Sequence, residues 1–197
     1  MKSVALILID PQVGFCSPLG SLGLLHGADE LREIEAVVPK IRQALSESAR
    51  RHLVLSEYSV GQFTEGDVEH PLSNLCVPKI NDDCRVIEQL AAQSYSSSTV
   101  KHEQSAIASA DFCLEIEHDL KVGIKCFVLA GFLFEHCVQS TAVDLFAKLL
   151  KEGVEVVIAR DLVASRSKKY LDGTVNSVFN KLAGQGLKIS NWQSIHP

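Results

Sequence analysis

Positive charge is not in excess in this chain of 197 residues, where 19 Lys and Arg stand against 24 Asp and Glu for a formal net charge of -5. No basic field is available to hold a phosphate backbone, so nucleic acid is not an expected partner. Long hydrophobic runs are also missing. No stretch approaches the about 20 apolar residues that a membrane span needs. The run from Val4 to Ile9 is stopped by Asp10 and Pro11, with no cleavage site after it, which argues against a leader peptide. The cysteines at Cys16, Cys76, Cys84, Cys113, Cys126 and Cys137 form no C-x-x-C pair and meet no His-x-x-x-His, so no zinc site is expected among them. Most of them read as small buried apolar residues of a reducing compartment. Internal repeats and low-complexity tracts are absent. What remains is a cytoplasmic globular protein, 46% hydrophobic and 22% charged, expected to fold as a single domain over residues 1–197.

The apolar residues that are present come in two patterns. Val4 to Ile9 is a continuous run with β-branched members, as in a strand buried on both faces of a parallel sheet, and similar runs occur at Leu53 to Leu55, Cys126 to Ala130 and Val154 to Ala159. Between them lie segments of helical period. One begins at Pro39 and carries Ile41 and Leu45, one follows a capping Ser109, and one carries Val138, Ala142, Leu145, Phe146 and Leu149. Gly123 and Gly153 stand just past two helix ends, where a left-handed residue is wanted. Strand and helix in alternation give an α/β fold, a doubly wound, mostly parallel sheet with helices on both faces. The stretch from Glu57 to Asp82 carries Gly61, Gly66, Pro71 and Pro78 and is expected to be a long loop beside the carboxyl edge of the sheet.

In sheets of this kind, ligands bind outside the carboxyl ends of the strands, so the first polar residues after each buried run are the candidates for chemistry. Asp10 ends the first run, Lys101 follows Ser98 to Val100, and Cys137 follows the run ending at Ala130. Singly, each has an ordinary reading as a turn acid, a solvated lysine and a buried thiol. Together they offer a base, a cation and a nucleophile, with Cys137 at the head of an amphipathic helix whose dipole favours a thiolate.

Three segments carry a family resemblance: ALILIDPQVGF (Ala5 to Phe15), TVKHEQSA (Thr99 to Ala106) and LAGFLFEHCVQSTAVD (Leu129 to Asp144), with DLVASR near Asp161 extending it over nearly the whole chain. They resemble the motifs of the isochorismatase-like cysteine hydrolases, which include nicotinamidases, N-carbamoylsarcosine amidases and ureidoacrylate amidohydrolases. The resemblance implies a doubly wound sheet and a triad in which Asp10 is the acid/base, Lys101 stabilises the thiolate and Cys137 is the nucleophile. It places the oxyanion hole on the backbone N–H groups of Leu133 and Cys137, and implies a cis peptide bond between Phe132 and Leu133. Phe15 resembles the family's aromatic wall for a planar substrate. Tyr58 and Phe63 stand on the long loop where they would close over a pocket or enter a subunit contact, and Gln12 is expected to fix the first loop by hydrogen bonds.

The departures from the pattern shape the functional expectation. Nicotinamidases resemble one another in an Asp-x-His element that holds a metal with a further His, whereas LSEYSVGQF places Glu57 and Ser59 at those positions, with His70 further along. No cofactor and no metal is therefore expected. Phe134 and Glu135 replace the family's Thr and Asp before the nucleophile, which makes Phe134 a candidate substrate-binding residue that alters the pocket's polarity. Because members that cleave the vinyl ether of isochorismate can dispense with the nucleophile, retention of Cys137 favours hydrolysis of an amide or related C–N bond of a small molecule. The alternatives are a nicotinamidase with rearranged metal ligands and a non-catalytic interaction module of the same fold. The expected assembly is a homo-oligomer, most simply a dimer.

Overall fold

The computed structural model describes residues 3–195. Its frame is a six-stranded, all-parallel sheet made of β1 (Val4–Ile9), β2 (Arg50–Ser56), β3 (Ser97–Lys101), β4 (Cys126–Gly131), β5 (Glu155–Val163) and β6 (Lys188–Ser190), in the order β3-β2-β1-β4-β5-β6. All six residues of β1 and of β4 are buried, because both faces of these central strands are covered. The helices are α1 (Val13–Cys16), α2 (Ser21–His26), α3 (Arg32–Glu47), α4 (Glu88–Ala91), α5 (Ala110–Lys121), α6 (Gln139–Leu149), α7 (Ser167–Leu171), α8 (Thr174–Gly184) and α9 (Trp192–Ile195).

Alternation along each strand divides the core in two. Leu6, Leu8, Val128 and Ala130 point to one face and pack with Ile34, Ile41 and Leu45 of α3 and with Trp192 of α9. Ala5, Ile7, Phe127 and Leu129 point to the other and pack with Phe112 of α5, Leu145 of α6 and Phe179 of α8. Ser109 caps α5 by accepting from the Phe112 N–H at 3.5 Å, and Gly123 follows that helix at φ +90°.

Two readings of the sequence change. Pro39 does not start its helix, which begins seven residues earlier at Arg32. Proline removes the bond to the carbonyl of Glu35, and because both Pro39 and Glu35 face solvent, water can satisfy that carbonyl. The strand β6 is also absent from the sequence reading, since its three residues present no apolar run.

Residues 57–81 form no helix or strand. Their excursion is nonetheless closed at its base, where the Tyr58 N–H donates to the Cys76 carbonyl at 2.9 Å and the Gly61 N–H to the Ser73 carbonyl at 2.8 Å. The buried Gln12 amide ties the same base to the first loop. Its Nε2 donates to the carbonyls of Ser56 and Cys84 at 2.9 and 3.1 Å, and its Oε1 accepts from the Ser56 N–H at 2.7 Å.

Candidate active site

Strand order reverses between β1 and β4, and the residues that follow these strands open a crevice at their carboxyl ends. Asp10 leaves β1 with a left-handed φ of +51° and is fully buried. Register sets the next two side chains, because Ser56, the last residue of β2, pairs with Lys101, the last of β3. On the other side, Gly131 ends β4 opposite Ile9 at φ +112°, and a Cβ there would lie 2.1 Å from the Ile9 carbonyl oxygen, so only glycine fits. The Phe132–Leu133 peptide bond that follows is cis. A π-turn over Phe134–Val138 then leads directly into α6 and carries Cys137.

The polar groups meet in one buried network. Lys101, only 1% exposed, donates from Nζ to Ser56 Oγ at 2.6 Å, to the Glu103 carbonyl at 3.1 Å and to Tyr58 Oη at 3.2 Å. Asp10 Oδ1 is 2.9 Å from Ser56 Oγ. Asp10 Oδ2 lies 3.1 Å from the ammonium as an ion pair, and the Asp10 carboxylate is also a hydrogen-bond partner of the Cys137 thiol, so it faces the thiol proton. Tyr58 Oη is 2.7 Å from Ser56 Oγ and 3.5 Å from Cys137 Sγ.

Electrostatics set the resting protonation. Burial and then the Asp10 charge push the Cys137 thiol up to about 12, against which the Lys101 charge and the Tyr58 hydrogen bond act only in part. Burial works against the Lys101 ammonium, but the charges of Asp10 and Cys137 outweigh it and hold the lysine above its ordinary value. Burial and the Asp10 charge thus oppose the thiolate that Lys101, the Tyr58 hydrogen bond and the place of Cys137 ahead of α6 favour, Cys137 being 4% exposed.

Above the network lies a cavity of about 330 Å³. Cys137, Tyr58, Phe15 and Leu133 line it, as do His26, Gln104, His136 and Arg166 from other segments. Arg166 brings a guanidinium to the cavity and stands 3.9 Å from Glu30 as an ion pair. The Leu133 N–H finds no hydrogen-bond acceptor among the described residues, while the neighbouring Phe132 and Phe134 N–H groups donate to the carbonyls of Ile9 and Ala164. Phe63 packs edge-on against the Tyr58 ring, with centroids 4.5 Å apart.

Of the sequence-derived residues, Asp10, Lys101, Cys137, Leu133, Phe15 and Tyr58 are thus brought together. Phe134 is not. Its fully buried ring lies in the core of the opposite sheet face against Phe179, at 4.2 Å between centroids, so it cannot touch a ligand in the cavity. Ser56 was overlooked although it is the first polar residue after the run Leu53 to Leu55, the same rule that flags Asp10. His26 carries no local signal, and Arg166 ends the DLVASR stretch without being marked there as a site residue, because only the tertiary fold brings α2 and the segment after β5 to the same opening.

A buried thiol, carboxylate and lysine at the switch point of a doubly wound sheet are the features of a cysteine hydrolase. The chain belongs to the isochorismatase family, whose isochorismatase-domain model matches residues 4–187. No curated protein sequence matches it significantly. Among solved structures it is similar to an isochorismatase family protein from Desulfovibrio vulgaris subsp. vulgaris str. Hildenborough, with a TM-score of 0.73 and 19% identity over 99% of this chain and 97% of that one. A cysteine hydrolase from Pseudomonas syringae pv. phaseolicola superposes with a TM-score of 0.70 and 17% identity over 98% and 90% of the two chains. The pyrazinamidase of Pyrococcus horikoshii, in complex with zinc, does so with a TM-score of 0.69 and 22% identity over 96% and 99%. At these identities the likeness is one of fold.

The zinc in that relative prompts a test of fit. Among the described residues, no group of three or more His, Cys, Asp and Glu is placed to hold a metal. His70 is exposed and its Nδ1 accepts from the Leu72 N–H at 3.0 Å, while Ser59 offers no imidazole. The residues present do not fit the ion.

Proposed function

We propose that this protein hydrolyses the C–N bond of a small amide through a thioester on Cys137, without a metal. The reading is carried by the Asp10 carboxylate, buried beside the Lys101 ammonium and in hydrogen-bond contact with the Cys137 thiol whose ionisation it opposes. A carboxylate in contact with a protonated nucleophile is a general base in waiting. On this mechanism Oδ2 takes the thiol proton as Sγ attacks the carbonyl carbon, and the carbonyl π pair moves onto oxygen. The N–H groups of Leu133 and Cys137 hold that oxyanion. Collapse breaks the C–N bond, Asp10 returns the proton to the departing amine, and a thioester remains. Asp10 then deprotonates a water that attacks the thioester, and the sulfur recovers its proton as the acid leaves.

A screen of small amides with ammonia or amine release as the readout tests this function. Cys137→Ala is expected to abolish turnover while the fold persists, since alanine suits a helix. Hydrolysis retained by that variant would refute the covalent route. Chelator is expected to leave activity unchanged, whereas inhibition reversed by one added metal would restore the reading as a nicotinamidase with rearranged ligands. The edges at β3 and β6 also lead us to propose a homo-oligomer. A monomeric mass by light scattering at micromolar concentration would exclude it.

A further inference from the structure

We propose that the Tyr58 hydroxyl is a catalytic group with a switchable proton, donated to Ser56 Oγ while Cys137 is a thiol and turned onto Cys137 Sγ when the thiolate forms. The inference rests on Cys137 being the nucleophile. It follows from counting protons in the buried network. An ammonium has three donors and no acceptor, so Lys101, with Ser56 Oγ, Tyr58 Oη, the Glu103 carbonyl and Asp10 Oδ2 at 2.6, 3.2, 3.1 and 3.1 Å around it, cannot take a proton from Tyr58 or Ser56. An ionised carboxylate only accepts, so the 2.9 Å contact between Ser56 Oγ and Asp10 Oδ1 uses the single serine proton. The 2.7 Å contact between Ser56 Oγ and Tyr58 Oη then has one proton left to form it, and that proton belongs to Tyr58.

The same hydroxyl is 3.5 Å from Cys137 Sγ, so its proton has two acceptors within reach of one rotation about the C–O bond. A neutral thiol is a weak acceptor and Ser56 holds the proton. Once Asp10 Oδ2 has taken the thiol proton, the sulfur is an anion and becomes the stronger acceptor. When the proton turns, Ser56 Oγ still accepts from Lys101, so no buried polar group loses its last partner. No bond to hydrogen breaks at Tyr58. Burial and the charges of Asp10 and Cys137 raise its pKa far above the ordinary phenol, so it keeps its proton throughout and acts only by redirecting it. The ring is held for this task by Phe63 on its edge and by the Tyr58 N–H bond to the Cys76 carbonyl at 2.9 Å.

The test is the pH profile of Cys137 alkylation by iodoacetamide, read by mass mapping, together with kcat and KM on the amide found by the screen. Tyr58→Phe keeps the ring and removes the hydroxyl. It is expected to move the alkylation profile upward by about one pH unit or more and to lower kcat by about 10- to 100-fold with little change in KM, the range for a hydrogen bond to a charged group. Ser56→Ala removes the competing acceptor and is expected to move the profile the other way, to lower pH. Opposite shifts support the switch. Shifts of the same sign, or a Tyr58→Phe profile and kcat like the wild type, overturn it. If Tyr58→Phe fails to fold, Ser56→Ala decides alone, with an unmoved or upward profile refuting the proposal. Alkylation is read without turnover, so an active Cys137→Ala variant would sink the nucleophile reading separately.

Discussion

Burial and the Asp10 carboxylate keep the Cys137 proton in place at neutral pH, so the group proposed as the base also opposes ionisation until a substrate draws the sulfur forward. Replacing that carboxylate by an amide should therefore have two opposite effects. In Asp10→Asn, turnover is expected to vanish for want of a base, yet the thiol should alkylate faster near pH 8 than in the wild type, because Lys101 then faces no competing anion. Slower alkylation in Asp10→Asn would show that the aspartate stabilises the thiolate. The sequence made Asp10, Lys101 and Cys137 readable because each is the polar residue that interrupts or follows a buried run. It hid their protonation. The pKa of a thiol depends on how deeply it is buried and on which charges surround it, and a helical pattern alone supplied Cys137 with a dipole and no desolvation. Phe134 is hidden for a related reason: adjacency to Cys137 in the chain does not say to which side of a turn a ring points, and here the π-turn sends it into the core beside Phe179.

Strands and helices were legible in proportion to their burial. β1 and β4, buried at every residue, appear in the sequence as unbroken apolar runs, whereas the three residues of β6 on the sheet edge leave no pattern and the part of α3 from Arg32 to Val38 is obscured by Pro39. The joint between β4 and the turn that carries Cys137 is closely packed. Gly131→Ala places a methyl group against the Ile9 carbonyl at a φ that L-residues avoid, and it is expected to cost at least about 3 kcal/mol, read as a lowered urea midpoint or loss of soluble protein. A second element-level contact ties β2 to α5. The fully buried Asp119 accepts from His52 Nε2 at 2.6 Å and from Arg50 Nε at 2.7 Å. Asp119→Ala would remove one partner each from His52, which keeps Ser97 Oγ at 2.7 Å, and from Arg50, which keeps Glu115 at 3.2 Å, so a loss of about 1–3 kcal/mol is expected. The folded fraction should keep its specific activity, since none of the three lines the cavity. A midpoint within error of the wild type would show that water replaces the carboxylate at no cost.

The molecule as a whole carries several thiols withdrawn from water. Cys16, Cys76 and Cys137 are all raised by burial first and by Asp10 second, above their ordinary value of 9.0. In the unfolded chain these groups lose protons from about pH 9, in the folded chain only at higher pH, so above pH 9 the unfolded state binds fewer protons and stability falls as pH rises. Each is expected to contribute a slope of about 1.4 kcal/mol per pH unit until it titrates in the native state, with its full contribution present below pH 9. Urea midpoints taken from about pH 7 to about pH 10.5 check this, and a midpoint that does not decline beyond pH 9 would refute it. The closed base of the loop over residues 57–81 bears on another property, its behaviour once the covalent chain is interrupted. Glu65 and Glu69 are exposed at the loop's tip, within reach of a glutamate-specific protease, while β1 and β2 of the N-terminal piece lie between β3 and β4 of the other. Neither piece can depart without dismantling the sheet. A nicked sample should therefore run as one particle in gel filtration, separate only in denaturant, and keep Asp10 and Ser56 from the first fragment facing Lys101 and Cys137 from the second, so that two polypeptides share one intact buried network.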